Sequence, residues 1–172
     1  WRALANEVDV DGKIVANPYK QWSDIDSSLP SKKIEILLAP PTSGTRDAWN
    51  SLVMSKGCSK EAKALFGDKA SSECTKIRED GYAVEAGEND TLIVQKLASN
   101  PDAYGFFGYS YLVGNKDKVK AAAIEGVKPS LEGIQDYSYP IARPLFFYVK
   151  KAHIGVVPGI QEFLEEFTSK KS

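Results

Sequence analysis

Apolar positions recur along this chain in two rhythms, and each rhythm predicts an element. The run Ile34-Glu35-Ile36-Leu37-Leu38-Ala39 starts by alternating and ends continuous, which predicts a buried strand over 34–39. From Thr45 to Lys56 the apolar residues Ala48, Trp49, Leu52 and Val53 share one helical face. A second helix is predicted over Lys60–Phe66 and a third over roughly Ser72–Glu79. Asp80-Gly81 marks a turn before a short strand, Tyr82–Ala86. Asn89-Asp90 then caps a helix running through Ala98, with Leu92, Ile93, Val94 and Leu97 as its stripe; Asn100-Pro101 ends it.

Further on, Tyr104–Tyr109 reads as a strand entering a glycine turn, and Ala121–Ile124 as another strand. Leu131–Gln135 gives a short helical turn, and Leu145–Lys150 a strong strand. Val157-Pro158-Gly159 precedes a last helix, Ile160–Phe167, with Phe163, Leu164 and Phe167 expected inward. Residues 1–33 read as irregular apart from one helical turn around Trp22–Asp26, with turn signals at Asp9-Val10-Asp11-Gly12 and Asn17-Pro18-Tyr19. Strands alternating with helices place the chain in the α/β class with a largely parallel or mixed sheet.

Composition narrows the function more than the fold. At 172 residues, with 42% apolar and 26% charged positions, the chain fits one domain with a real core. A formal net charge of −1 gives no support to a nucleic-acid or anionic-membrane partner. The aromatic cluster Tyr104, Phe106, Phe107, Tyr109 and Tyr111 lacks basic interleaving, so it is expected to pack rather than stack on bases. No apolar run approaches the roughly 20 residues of a membrane-spanning helix. The chain opens on Trp1-Arg2-Ala3-Leu4, without Met or a leader pattern, from which a processed or excised form is expected.

Two cysteines, Cys58 and Cys74, flank a short helical segment and a polar turn. A disulfide, and with it an oxidising compartment, is favoured over two free thiols. Two cysteines with a single histidine, His153, make no zinc site, and no metal or cofactor is expected. His153 has lysines as neighbours and is expected at the surface.

The chemistry concentrates where the first strand stops, at Pro40-Pro41-Thr42-Ser43-Gly44-Thr45-Arg46-Asp47. A hydroxyl-rich turn entering a helix offers backbone N–H groups that have no intrahelical acceptor, at the positive end of the helix dipole. Gly44 permits close approach, Ser43 and Thr45 add hydroxyls, and Arg46 adds a forked cation. A Ser before a helix is also an ordinary N-cap, and that reading stands beside the anion site.

Four stretches, taken in order, resemble the phosphate-binding proteins of bacterial ABC phosphate importers, of the periplasmic-binding-protein type. They are Trp22-Ser23-Asp24-Ile25, Pro41 to Ala48 with its Thr-Ser-Gly-Thr-Arg, Asn100-Pro101-Asp102-Ala103-Tyr104-Gly105-Phe106-Phe107-Gly108-Tyr109-Ser110-Tyr111, and Tyr139-Pro140-Ile141-Ala142-Arg143-Pro144-Leu145-Phe146-Phe147-Tyr148-Val149. Members of that family have two α/β lobes that clamp phosphate between them, and they are about twice this length. The resemblance therefore implies that residues 1–172 form a single lobe, the second, a three-layer α/β/α unit with a mixed, mostly parallel sheet. It also implies that the first lobe is missing.

The same resemblance implies inorganic phosphate as ligand, held by Ser43, Gly44 and Thr45, and membrane permease subunits as partners. The location it implies is periplasmic, or a cell-surface lipoprotein in a Gram-positive source. Many members place an arginine four residues before the serine; that position here is Ala39, so Arg46 is expected to replace it with Asp47 orienting it. Thr42, Asn89 and Arg78 are weaker candidates: Asn89 reads foremost as a helix cap and Arg78 as a partner of neighbouring acids. Arg143, near the expected hinge, could reach between the lobes but reads foremost as structural.

Other functions remain in competition. Sulfate or molybdate would suit the same donors, and an adhesion or interaction module would need only a capped turn. An enzyme using Ser43 or Thr45 as nucleophile would want a base, a metal cluster or a P-loop lysine, none of which the motifs supply, so a binding protein is expected.

Overall fold

The chain begins with a hairpin that its turn residues specify. Strands β1 (Glu7–Val10) and β2 (Lys13–Ala16) pair antiparallel, with Val8 opposite Val15. The loop between them is Asp11-Gly12, with φ of 49° and 76°, the left-handed pair that a type I′ turn requires. This hairpin corrects the irregular reading of residues 1–33: the turn signal is legible, but four-residue strands are too short to show a period. The helical turn is present as α1 (Trp22–Ile25). The Asp24 carboxylate accepts the N–H groups of Lys20 and Gln21 at 2.8 Å each, which holds its pKa below the usual carboxylate range. The computed structural model describes residues 1–169, and the end of the lobe expected over 1–172 lies outside the described residues.

Next comes β3 (Ile36–Leu38), then α2 (Gly44–Trp49), which runs without a break into a π-helical stretch, Asn50–Met54, and α3 (Ser55–Gly57). Helix α4 (Lys60–Phe66) starts where Ser59 Oγ accepts the Ala62 N–H at 3.0 Å. A turn of 3-10 helix, Gly67–Lys69, leads to α5 (Ala70–Glu73). Cys58 and Cys74 are joined as a disulfide, with Cα atoms 5.6 Å apart, across the ends of this segment. The helix expected over Ser72–Glu79 stops at Glu73. The backbone beyond is recruited elsewhere: Ile77 bridges to Ala5, and the Arg78 N–H donates to Leu4 O at 2.9 Å.

Strand β4 (Ala83–Glu85), helix α6 (Asp90–Ser99), strand β5 (Tyr104–Gly105) and helix α7 (Tyr109–Val113) follow. The three inner strands form a parallel sheet in the order β4-β3-β5, with Ile36 opposite both Ala83 and Tyr104. Side chains alternate across a strand, and here the two faces bury different partners. Ile36 and Leu38 join the main core with Leu4, Val8, Ile34, Met54 and Ile77. Leu37 faces the other way, onto Ala86 and Ile93 of the α6 side. Helices thus cover both faces, giving the α/β/α layering. Gly105 makes the second face possible: a Cβ there would stand 3.1 Å from both Ile93 Cγ2 and Leu97 Cδ1.

Past α7 the regular structure thins to α8 (Leu131–Gln135), a 3-10 turn Lys151–His153, and α9 (Ile160–Phe167). Three expectations are corrected here. Ala121–Ile124 forms no strand, only a bridge between Ile124 and Val127. Leu145–Lys150 forms none either: Leu145 is 86% and Tyr148 93% exposed, and among the described residues no strand lies alongside to pair their backbone. Phe163 and Phe167 do not point into a core but stay more than half exposed; Phe167 meets Phe147 edge-on at 4.9 Å and Phe163 at 5.6 Å.

Candidate functional site

Parallel strands place the starts of the helices that follow them on one edge of the sheet, and three loops meet there. The β3–α2 loop carries Thr42 and Ser43, the β4–α6 loop carries Glu88 and Asn89, and the β5–α7 loop carries Gly108. Two side chains tie them together. Thr42 Oγ1 donates to Glu88 Oε1 at 2.7 Å, and Asp90 Oδ2 accepts the Gly108 N–H at 3.0 Å. This carboxyl edge is where open α/β sheets take ligands.

At its centre, Ser43 is the N-cap of α2. Its N–H donates to Pro40 O at 2.9 Å, and its Oγ accepts the Thr45 N–H at 3.2 Å. The cap and an anion would use the same donors, so both readings of the motif fit one geometry. Neither Ser43 Oγ nor Thr45 Oγ1 has a base hydrogen-bonded to it among the described residues, and His153 lies in an exposed turn. Asn89 caps α6, its Oδ1 accepting the Thr91 N–H at 2.9 Å.

Arg46 is turned inward. It is 9% exposed, its Nη1 donates to Ala39 O at 2.9 Å and stands 3.8 Å from Glu85 Oε1. Burial lowers the guanidinium pKa, and the Glu85 carboxylate opposes that shift. The acidic neighbour of Arg46 is therefore Glu85 and not Asp47, which is exposed on the first turn of α2; this corrects the expected orienting role. Arg46 Nε, Trp49 Nε1 and Asn50 Oδ1 are buried without a hydrogen-bond partner among the described residues, and their spacing of three and four puts them on one helical face. Trp49 stacks flat on Phe106, centroids 4.1 Å apart, bracing this turn against β5.

Arg78, a weaker candidate, is committed elsewhere. It is 3% exposed, holds Asp80 through Nε and Nη2 at 2.7 and 2.6 Å, gives Nη1 to Tyr19 O at 2.7 Å, and lies over the Tyr82 ring. It buttresses the N-terminal segment and does not reach the carboxyl edge. The pairing with an acid is as expected, but the site is buried and not a solvated face.

One residue that reads as structural in the sequence arrives beside the turn. Arg143 Nη2 donates to Gly44 O at 2.9 Å across 99 positions of chain. Its sequence signals, a place near the expected hinge and a proline on its far side, mark a rigid segment and not a destination. Among the described residues no group of three His, Cys, Asp or Glu side chains is placed to hold a metal ion.

A parallel sheet flanked by helices on both faces, with helix N-termini gathered at its carboxyl edge, defines the class: the profile of a PBP superfamily domain matches residues 5–171, and the chain belongs to that superfamily. Among curated relatives, the phosphate-binding protein PstS of Staphylococcus haemolyticus is 32% identical over 158 residues, 89% of this chain and 43% of the relative. PstS of Staphylococcus aureus is 29% identical over 157 residues, 88% of this chain and 41% of the relative. A possible phosphate binding protein from Planctomyces limnophilus superposes with a TM-score of 0.61 at 26% identity, covering 99% of this chain and 52% of the other. PstS from Borrelia burgdorferi shares the fold, with a TM-score of 0.58 at 20% identity over 89% of this chain and 53% of the other. The chain spans about half the length of the proteins it matches.

Proposed function

We propose that this chain is one α/β lobe, the second, of a two-lobe phosphate-binding protein, and that Ser43, Gly44 and Thr45 offer its half of a reversible phosphate site, on a turn whose next residue, Arg46, is held inward by Ala39 O. The observation that carries the reading is the Ser-Gly-Thr turn at the start of α2, set on the carboxyl edge of a parallel sheet, in a chain whose relatives are named for phosphate binding. An anion entering here takes the Thr45 N–H from Ser43 Oγ, and the freed hydroxyl turns to donate to it. Chemistry beyond binding has no support in the site: neither hydroxyl has a base beside it among the described residues.

In this reading the protein delivers phosphate to an ABC permease from outside the cytoplasm. The Cys58–Cys74 disulfide supports an oxidising compartment, and no described helix is long and apolar enough to cross a membrane. The exposed run Leu145-Phe146-Phe147-Tyr148 is the surface where the other lobe would pack. Residues 1–172 by themselves are expected to bind weakly, because a closing lobe excludes water and strengthens charge-assisted bonds.

The test is a phosphate titration of the 172-residue chain followed by amide NMR, with sulfate and molybdate as comparisons. Saturable shifts at Ser43, Gly44, Thr45 and Arg46, stronger for phosphate, are expected. Equal response to the three anions would leave an unselective oxyanion site, flat spectra would reduce the turn to a helix cap, and submicromolar affinity would contradict the half-site.

A further inference from the structure

The two arginines at the start of α2 are not equivalent. Arg46 is buried, spends Nη1 on Ala39 O and has Glu85 within 3.8 Å, so its charge is turned away from solvent and partly answered. Arg143 is exposed, its recorded bond uses one N–H of five, and no carboxylate among the described residues stands within 4.0 Å of it. Its guanidinium nevertheless sits at one spot: Nη2 is 2.9 Å from Gly44 O and 3.4 Å from where a Gly44 Cβ would be.

That spot is held from both sides of the sequence. The Tyr139 N–H donates to Gly133 O at 2.8 Å, fixing the segment to α8, and the Ala142 N–H closes a turn onto Tyr139 O at 2.9 Å. Pro144 follows at once and restrains the backbone of Arg143. A cation fixed beside a helix N-terminus faces the positive end of the dipole, which disfavours it unless an anion lies between them. The Gly44 carbonyl offsets part of that. Four N–H donors remain for a ligand, in the forked arrangement that matches two oxygens of a phosphoryl or sulfuryl group.

We propose that Arg143, and not Arg46, is the arginine that contacts the anion at the Ser43–Thr45 turn, and that it favours a doubly charged tetrahedral oxyanion over a singly charged one. Arg46 then holds the turn in shape from below. This rests on the phosphate-site reading, and the experiment separates the two. Wild type, R143Q, R143K and R46K are titrated with inorganic phosphate across about pH 5.5–8, where phosphate passes from one charge to two, and with sulfate, which stays doubly charged, with the amides of Ser43, Gly44 and Thr45 as the readout.

R143Q is expected to lose at least tenfold in phosphate affinity at pH 8, corresponding to one charge-assisted contact. It is also expected to flatten the rise in affinity with pH, while its unfolding midpoint without ligand stays that of wild type because Arg143 is exposed. R143K recovers part of the affinity, since it restores charge but not the fork. A wild type that shows no saturable shift overturns the anion site and this inference with it. A wild type that binds while R143Q binds within twofold of it, with the same pH profile, overturns the role of Arg143 alone. So does a larger loss in R46K than in R143Q at equal stability.

Discussion

Two stretches of this chain are alike in apolar content and opposite in fate. Every buried hydrophobic residue described lies between Ala3 and Val94, and all but Ala39 and Val94 gather into three clusters around the sheet, the hairpin and the disulfide. Beyond α7 the one buried residue described is Gly133, while Leu145, Phe146 and Tyr148 stand in water at 86%, 73% and 93% exposure. A strand or an aromatic is stabilised by what covers it, and the same side chains left uncovered contribute little. The first stretch supplies its own cover. The second reaches back to it through single contacts such as Arg143 on Gly44.

The largest effect should come from testing that difference directly. Leu38→Ala, at a position 1% exposed in the middle strand, is expected to cost about 3–4 kcal/mol. Phe146→Ala, although it removes a larger side chain, should stay within about 0.5 kcal/mol. Urea unfolding of the two variants reads both numbers, and a Phe146 cost near that of Leu38 would break the comparison.

The disulfide sharpens the first region from inside. Cys58 and Cys74 close a loop of 16 positions and pack with Ala62, Phe66 and Ala70. Replacing both by Ser should cost about 3 kcal/mol by the loop-entropy estimate, with further loss from the cluster they leave. In hydrogen exchange, amides of α4 and α5 should open first while those of α9 stay as they were. Uniform loss along the whole chain would mean that the two regions fold as one unit after all.

A pH titration gives a smaller effect on the same side. The Arg78 side chain, bonded to Asp80, holds that carboxyl below its usual range. A carboxyl with a depressed folded value contributes stability above the unfolded value, about 3.9, and loses it as pH falls through the lower folded one. Asp80 is 48% exposed, so the share is modest, about 1 kcal/mol. Asp80→Asn should lower stability at pH 7 by that amount and differ little from wild type at pH 2, measured by urea midpoints. An equal gap at both pH values would mean that the ion pair is not the source.

How much of this was legible in the sequence follows the same division. Helices α4 and α9 match their expected bounds, and α6 lies within a residue of its own, because their patterns are local: Asn89 announces the cap of α6, Pro158-Gly159 precedes α9, and apolar residues follow at helical spacing in both. What failed depended on distant partners. Leu145–Lys150 has every strand-forming residue type and lacks only a neighbour to pair with. The helix expected through Glu79 was interrupted because residues 77 and 78 bond to Ala5 and Leu4, more than 70 positions away. At the candidate site the Thr42–Arg46 motif could be read, since its donors are adjacent in sequence. The inward turn of Arg46 toward Ala39 and the arrival of Arg143 could not, because each is decided by packing and not by spacing.

The smallest expected effect separates the two uses of the Ser43 hydroxyl. As a cap it accepts the Thr45 N–H at 3.2 Å, a long bond on a half-buried residue. Ser43→Ala should therefore lower stability by about 1 kcal/mol, whereas Ser43→Gly, tolerated at N-caps, should cost only about 0.3 kcal/mol. If the hydroxyl serves only the cap, phosphate response should follow stability, and the Gly variant should titrate like wild type. If the hydroxyl is a ligand, both variants lose it equally, and phosphate affinity should drop by the same factor in each although their stabilities differ. Thermal unfolding paired with the amide titration measures both quantities on the same samples. A Gly variant with wild-type affinity would remove Ser43 from the anion site while leaving the backbone of Gly44 and Thr45 as its donors.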